Sequence, residues 1–244
     1  MVKERVILLL STILASVLTY LLNIRFHLGP FIASGLVGLV SAKALKRLSP
    51  PIYAASFASM SSSEVLPSVA SSGTAGLITG ILYIFTQKKF GGVGGKLGAI
   101  AFFSVLLTSF FVSEVQFSQN LTSLEGLYLV LGSSLGAGLT YSVSVRFKQD
   151  PVFSSSIIVL TAVLISNISL RYDNFVAAIT CGTYAGMSSK DVVKDSKRML
   201  FVGGLAGVIL FLSWPLFSGI GGKLGLVAFL AVFLHRLFSK RGRT

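Results

Sequence analysis

The chain has a single cysteine, Cys181, so no intrachain disulfide forms and no cysteine-based metal site can be assembled. Its two histidines, His27 and His235, sit at the ends of different apolar runs and make no metal pair. Charge is scarce. Only 12% of residues are charged, against about 25% in a soluble domain. That leaves too few polar side chains to coat a water-facing surface. The apolar runs hold almost no Asp, Glu, Lys, Arg or His, and Glu64 lies near a run end. Pumps driven by protons carry such groups in mid-membrane, so this scarcity argues against proton coupling. No cluster of His, Asp and Glu and no Ser/base dyad can be assembled, which argues against an enzyme. No catalytic residue, metal or cofactor is expected.

What remains is apolar and basic: 53% hydrophobic residues, a mean hydropathy of +0.82 and a formal charge of +13. The basic residues lie between apolar runs rather than interleaved with aromatics, so nucleic acid is not an expected partner. A bilayer is. Ten runs bounded by charge, Pro or Gly cover residues 6–22, 30–44, 52–66, 73–86, 97–112, 126–145, 152–170, 175–187, 199–216 and 224–238. The first has basic residues ahead of it, as a signal peptide does. We read it as a retained helix, because the internal repeat needs it. Residues 52–66 and 175–187 are short, rich in small residues and only mildly apolar.

Sliding the chain by 127 positions lays residues 48–107 over 175–234 without a gap, with 19 identities in 60 positions. The matches cluster at Met60-Ser61-Ser62 with Met187-Ser188-Ser189, and at Gly92, Gly94, Gly95 and Lys96 with Gly219, Gly221, Gly222 and Lys223. The chain therefore reads as two copies of one unit, residues 1–119 and 120–244. If all ten runs cross and the N-terminus is inside, 18 of the 21 Lys and Arg are inside and only Arg25, Arg171 and Lys223 are outside. If the two short runs are re-entrant, the split falls to 14 against 7, with Lys88 and Lys89 outside and Arg171 inside. Lys/Arg bias in short loops sets orientation, so ten crossings are expected, with both termini cytoplasmic in a cytoplasmic (inner) membrane. Five crossings per copy force the copies into opposite orientations. The expected fold is all-α and integral to the membrane: about ten transmembrane helices as two inverted five-helix repeats. Urea channels, ammonium channels and bile-acid-type symporters share such halves. Their sequence motifs are absent here, so the likeness is one of architecture alone.

Three motifs bear on function. The short segments carry Ser56, Phe57, Met60, Ser61 and Ser62 in one copy, and Thr183, Tyr184, Met187, Ser188 and Ser189 in the other. Interrupted segments at matching places in two halves point to a substrate path; tight packing is the plainer use of the same small residues. Ser61-x-x-Glu64 and Ser188-x-x-Asp191 have capping-box spacing and predict that a new helix starts there. Residues 91–98 and 218–225 place glycine N–H groups before a helix. Gly92, Gly94, Gly95 and Lys96, with Gly219, Gly221, Gly222 and Lys223, could hold an anion, or form a tight turn whose lysine reaches headgroup phosphates. Gly132-x-x-x-Gly136 is suited to helix packing and leaves a homo-oligomer open. The expected function is movement of a small solute or ion by a channel or transporter. The alternative is a non-transporting subunit or scaffold that binds partner helices.

Overall fold

The computed structural model describes residues 2–110, 119–168 and 173–241. The run ends at Val112 and Leu170, and Arg171 and Arg243 of the Lys and Arg counts, lie outside them. The described residues form ten α-helices: α1 (Val2–Tyr20), α2 (Pro30–Ala44), α3 (Ser49–Ala58), α4 (Val69–Thr86), α5 (Lys96–Ser109), α6 (Ser123–Tyr141), α7 (Pro151–Ile168), α8 (Asp173–Gly186), α9 (Ser196–Ser213) and α10 (Lys223–Arg241). Four helical stretches are long and apolar enough to cross a membrane: Val2–Arg25, Val69–Thr86, Ser123–Arg146 and Ser196–Ser213. At 1.5 Å per residue, 18 to 24 residues reach roughly 27–36 Å, against a hydrocarbon core of about 30 Å.

The chain divides into two compact units. The first takes the chain up to Gly91, the α5 stretch from Leu97, and the segment Leu216–Lys223. In it α1 lies against α3 and α4, and α3 also touches α2. Every described residue of α3 but Pro50 is buried, as expected of a helix enclosed by its neighbours. The second unit takes Gly92–Lys96, the chain from Gln119 to Pro215, and the chain from Leu224 on. In it α6 packs along α8 and α9, and α8 touches α7 and α9. A side chain at Gly136 would meet the backbone of Ile179, and one at Gly132 would meet Ala178 and Phe175. The Gly132-x-x-x-Gly136 face is therefore taken up by α8 within this unit.

The surface departs from that of a water-soluble protein in its many exposed large apolar side chains, although apolar residues such as Phe57, Leu129 and Leu210 are also buried. Leu14 and Leu18 on α1, Leu131 and Leu135 on α6, and Phe201 and Leu212 on α9 are exposed. Ser16, Ser59, Ser72, Ser133, Thr140 and Thr180 are fully buried. Large apolar side chains outside and hydroxyls inside suit a hydrocarbon solvent, where helices associate through small residues and hydroxyl hydrogen bonds. The apolar helices are compatible with association with a membrane.

α1 and α6 end alike. Each runs on into a π-helical turn, Leu21–Arg25 and Ser142–Arg146. The amides of Phe26 and Phe147 close these turns on Leu21 O and Ser142 O. His27 and Lys148 follow, each with φ 53°. Pro30 and Pro151 then open α2 and α7, at the first helical position, where no amide hydrogen bond is lost. Arg-Phe-x-x-x-Pro, repeated at a spacing of 121, is part of the sequence trace of this shared ending.

Candidate functional site

α3 is ten residues long and stops at Ala58. No helix begins at Ser61. Residues 59–68 form successive turns, and α4 starts at Val69 behind Ser68, whose hydroxyl accepts from Ser71 N–H in a reciprocal capping box. In the second unit α9 starts behind Asp195, whose carboxylate accepts from Arg198 N–H at 2.8 Å. The helix starts expected at Ser61-x-x-Glu64 and Ser188-x-x-Asp191 are therefore displaced by seven residues. The physical reason is that the serine hydroxyls are engaged elsewhere. Ser61 Oγ donates to Ala58 O at 2.7 Å and accepts from Gly221 N–H at 2.9 Å. Ser188 Oγ donates to Ala185 O at 2.7 Å and accepts from Gly94 N–H at 3.1 Å.

Two sequence motifs thus meet. In the first unit, Ser61 and Ser62 hold Gly219 and Gly221; Ser62 N–H donates to Gly219 O at 2.9 Å. In the second, Ser188 and Ser189 hold Gly92 and Gly94, with Ser189 N–H donating to Gly92 O at 2.9 Å. Each serine pair grips the glycine segment encoded by the other copy, which is why those two segments depart from halves cut at residue 119. The glycines are required by proximity. A Cβ at Gly221 would collide with the carbonyls of Phe57 and Ala58, and one at Gly94 with those of Tyr184 and Ala185. The Gly94 and Gly221 amides, which could have faced an anion, donate to these hydroxyls instead. Gly95 and Gly222 turn the chain at positive φ into α5 and α10, whose first residues, Lys96 and Lys223, are half-buried.

The other path residues sit as follows. Ser56 Oγ bonds Ser34 Oγ at 2.9 Å, and the Phe57 ring lies 4.2 Å from that of Tyr53. Ser155 Oγ donates to Thr183 Oγ1 at 3.0 Å. Phe57 and Tyr184 are buried, and Met60 and Met187 half-buried.

Below the α3 break lies a ring of hydroxyls. Ser16, Ser59 and Ser72, from α1, the α3 end and α4, bring their Oγ atoms within 2.6 Å (Ser16 to Ser59) and 2.7 Å (Ser59 to Ser72). Ser16 also donates to Ser72 O and Ser72 to Ser16 O. Asn23, buried on the π-helical turn, donates from Nδ2 to Ser59 O and Ser61 O. Sequence reading missed Ser16, Asn23 and Ser72. The trace of the ring is that its serines are not repeated: Ala137, Gly186 and Met199 stand where the second copy would carry Ser16, Ser59 and Ser72, whereas Asn23 has a polar counterpart in Ser144. Among the described residues, buried hydroxyls without a partner occur in both units, at Ser62 in the first and at three positions in the second. Thr140, Ser156 and Thr180, on α6, α7 and α8, are fully buried, and their hydroxyls have no hydrogen-bond partner among the described residues. Thr180 occupies the position that Tyr53 fills in the first copy.

Among the described residues no group of three His, Cys, Asp or Glu side chains comes together to hold a metal. No protein-family model, curated protein or solved structure matches this chain.

Proposed function

We propose that the chain is a channel or transporter that moves a small solute or ion across a membrane, through two inverted five-helix repeats. The α3 and α8 segments line its path, with Phe57 and Tyr184 as the constriction. The observation that carries this reading is the set of buried hydroxyls without partners among the described residues: Thr140, Ser156 and Thr180, on α8 and two helices packed against it, and Ser62 in the segment that follows α3. A buried hydroxyl left unpaired costs roughly 1–3 kcal/mol. A packing surface would shed that cost by using Ala or Val; a path for a hydrated or hydrogen-bonding solute needs the hydroxyls. The paired π-helical endings and the equivalent bonds Ser34–Ser56 and Ser155–Thr183 support the two-copy organisation. As a full crossing, α3 supplies about 15 Å and residues 59–68 the remainder. The proposed placement is a cytoplasmic (inner) membrane with both termini inside.

The scaffold alternative draws on the close backbone packing of α6, where Gly136, Gly182 and Gly203 leave no room for a methyl group. A flux assay in proteoliposomes, against a panel of anions, cations and neutral solutes, separates the two. One solute class is expected to cross faster than in protein-free liposomes. Ala58→Leu and Ala185→Leu, at fully buried positions, should abolish that flux in protein that still inserts. Failure of every class to cross would favour the scaffold.

A further inference from the structure

The first unit carries a groove of about 310 Å³, in the size range of a ligand pocket. Its walls are Leu14 and Leu18 of α1 and Leu36 and Val40 of α2; Ile52 of α3 lies at the inner side, and Leu45 at one end. The lining is almost wholly apolar. Its two hydroxyls already have partners: Ser11 donates to Leu8 O, and Ser41 donates to Gly38 O. Nothing in the groove asks for a polar ligand. The end at Leu45 is different. Lys46 and Arg47 follow it directly in the chain and are exposed, as is Lys43 one turn earlier on α2. A turn of four residues folds α2 back along α1, so the N-terminal stretch Lys3-Glu4-Arg5 lies toward the same end, with one acid among five basic groups.

We propose that this groove is a binding site for an anionic phospholipid, with an acyl chain between α1 and α2 and the headgroup phosphate on Lys46 and Arg47. The argument is charge complementarity at one end of an apolar slot. A lipid chain fills the slot whatever its headgroup, but only an anionic headgroup gains from the basic end. The inference rests on membrane placement of α1 and α2 and is independent of transport, so a negative flux assay leaves it intact.

The test is native mass spectrometry of the full chain, released from detergent micelles doped with equal phosphatidylglycerol and phosphatidylcholine. The wild-type protein should retain one phosphatidylglycerol in preference. A basic side chain near a membrane surface contributes roughly 5-fold in affinity, so K46Q/R47Q should weaken phosphatidylglycerol retention about 30-fold and remove the preference. Val40→Trp, at an exposed position on the groove wall, should lower retention of both lipids. Equal retention of the two lipids by the wild type would overturn the proposal. So would an undiminished preference in K46Q/R47Q, or unchanged retention in Val40→Trp.

Discussion

At the residue scale, the glycines separate into those that are gripped and those that are not. Gly221 and Gly94 approach backbone carbonyls that cannot rotate away, whereas a Cβ at Gly91 meets nothing within 4 Å. Gly221→Ala and Gly94→Ala should therefore push each segment off its serine and break the Ser61–Gly221 or Ser188–Gly94 bond, at a cost of about 2–4 kcal/mol. Gly91→Ala should stay within about 0.5 kcal/mol of wild type. Thermal unfolding in detergent measures both, and equal effects at the three positions would contradict the grip. The glycine repeat and the Met-Ser-Ser repeat were both legible in the sequence. Their union was not, because the paired residues lie 94 and 160 positions apart and a hydroxyl has no directional trace in the sequence.

At the element scale, the short character of α3 was visible in its composition, yet its successor was misplaced. Ser61-x-x-Glu64 has the spacing of a cap, and a cap is a local pattern. The tertiary partner Gly221 outcompetes it, and Ser68 and Asp195 cap α4 and α9 instead. At Asp195 the capping bond can be told apart from charge. The carboxylate accepts from Arg198 N–H and pairs with the Arg198 side chain at 3.3 Å, with both side chains about half exposed. An exposed pair contributes little, roughly 0–1 kcal/mol, whereas loss of a cap costs about 1 kcal/mol. Asp195→Asn keeps the capping oxygen and should cost a few tenths of a kcal/mol. Asp195→Ala should cost about 1 kcal/mol or more, measured by denaturant unfolding in detergent. Equal costs would assign the effect to charge rather than to the cap.

At the scale of the whole molecule, the two copies are alike in scaffold and unlike in polar content. The 127-residue spacing was legible from residues 48 and 175 onward. The earlier part was not, because its spacing is 121 rather than 127; only at that spacing does Leu18-Thr19-Tyr20 fall on Leu139-Thr140-Tyr141, Arg25-Phe26 on Arg146-Phe147 and Pro30 on Pro151 around the π-helical turns. The difference in spacing falls between α2 and α3 of one copy and α7 and α8 of the other. The first copy closes its helix junction with Ser16, Ser59 and Ser72; the second uses Ala137, Gly186 and Met199 and leaves Thr140 and Thr180 unpaired. The first copy leaves one buried hydroxyl, Ser62, without a partner at its junction, and the second leaves three, Thr140, Ser156 and Thr180, among the described residues.

Orientation is the property on which the inverted arrangement stands, and α3 is its critical element. A ten-residue helix reaches about half of a 30 Å hydrocarbon core, so residues 49–68 either complete a crossing or turn back. Lys/Arg bias supports the proposed completion: it would place 18 Lys and Arg on one side and 3 on the other, and re-entry of both short segments would reduce this to 14 and 7. The loop after α4 distinguishes the two, since Lys88 is inside in the first case and outside in the second. Lys88 and Arg25 are both exposed, and the one native cysteine, Cys181, is fully buried, which makes it a silent background for thiol labelling. With a membrane-impermeant maleimide, Lys88→Cys should label in inside-out vesicles and not in intact cells, and Arg25→Cys the reverse. Labelling of Lys88→Cys from the outside alone would mean that α3 turns back. The second copy would then enter from the same side as the first, and the inversion would be lost along with the ten-span count.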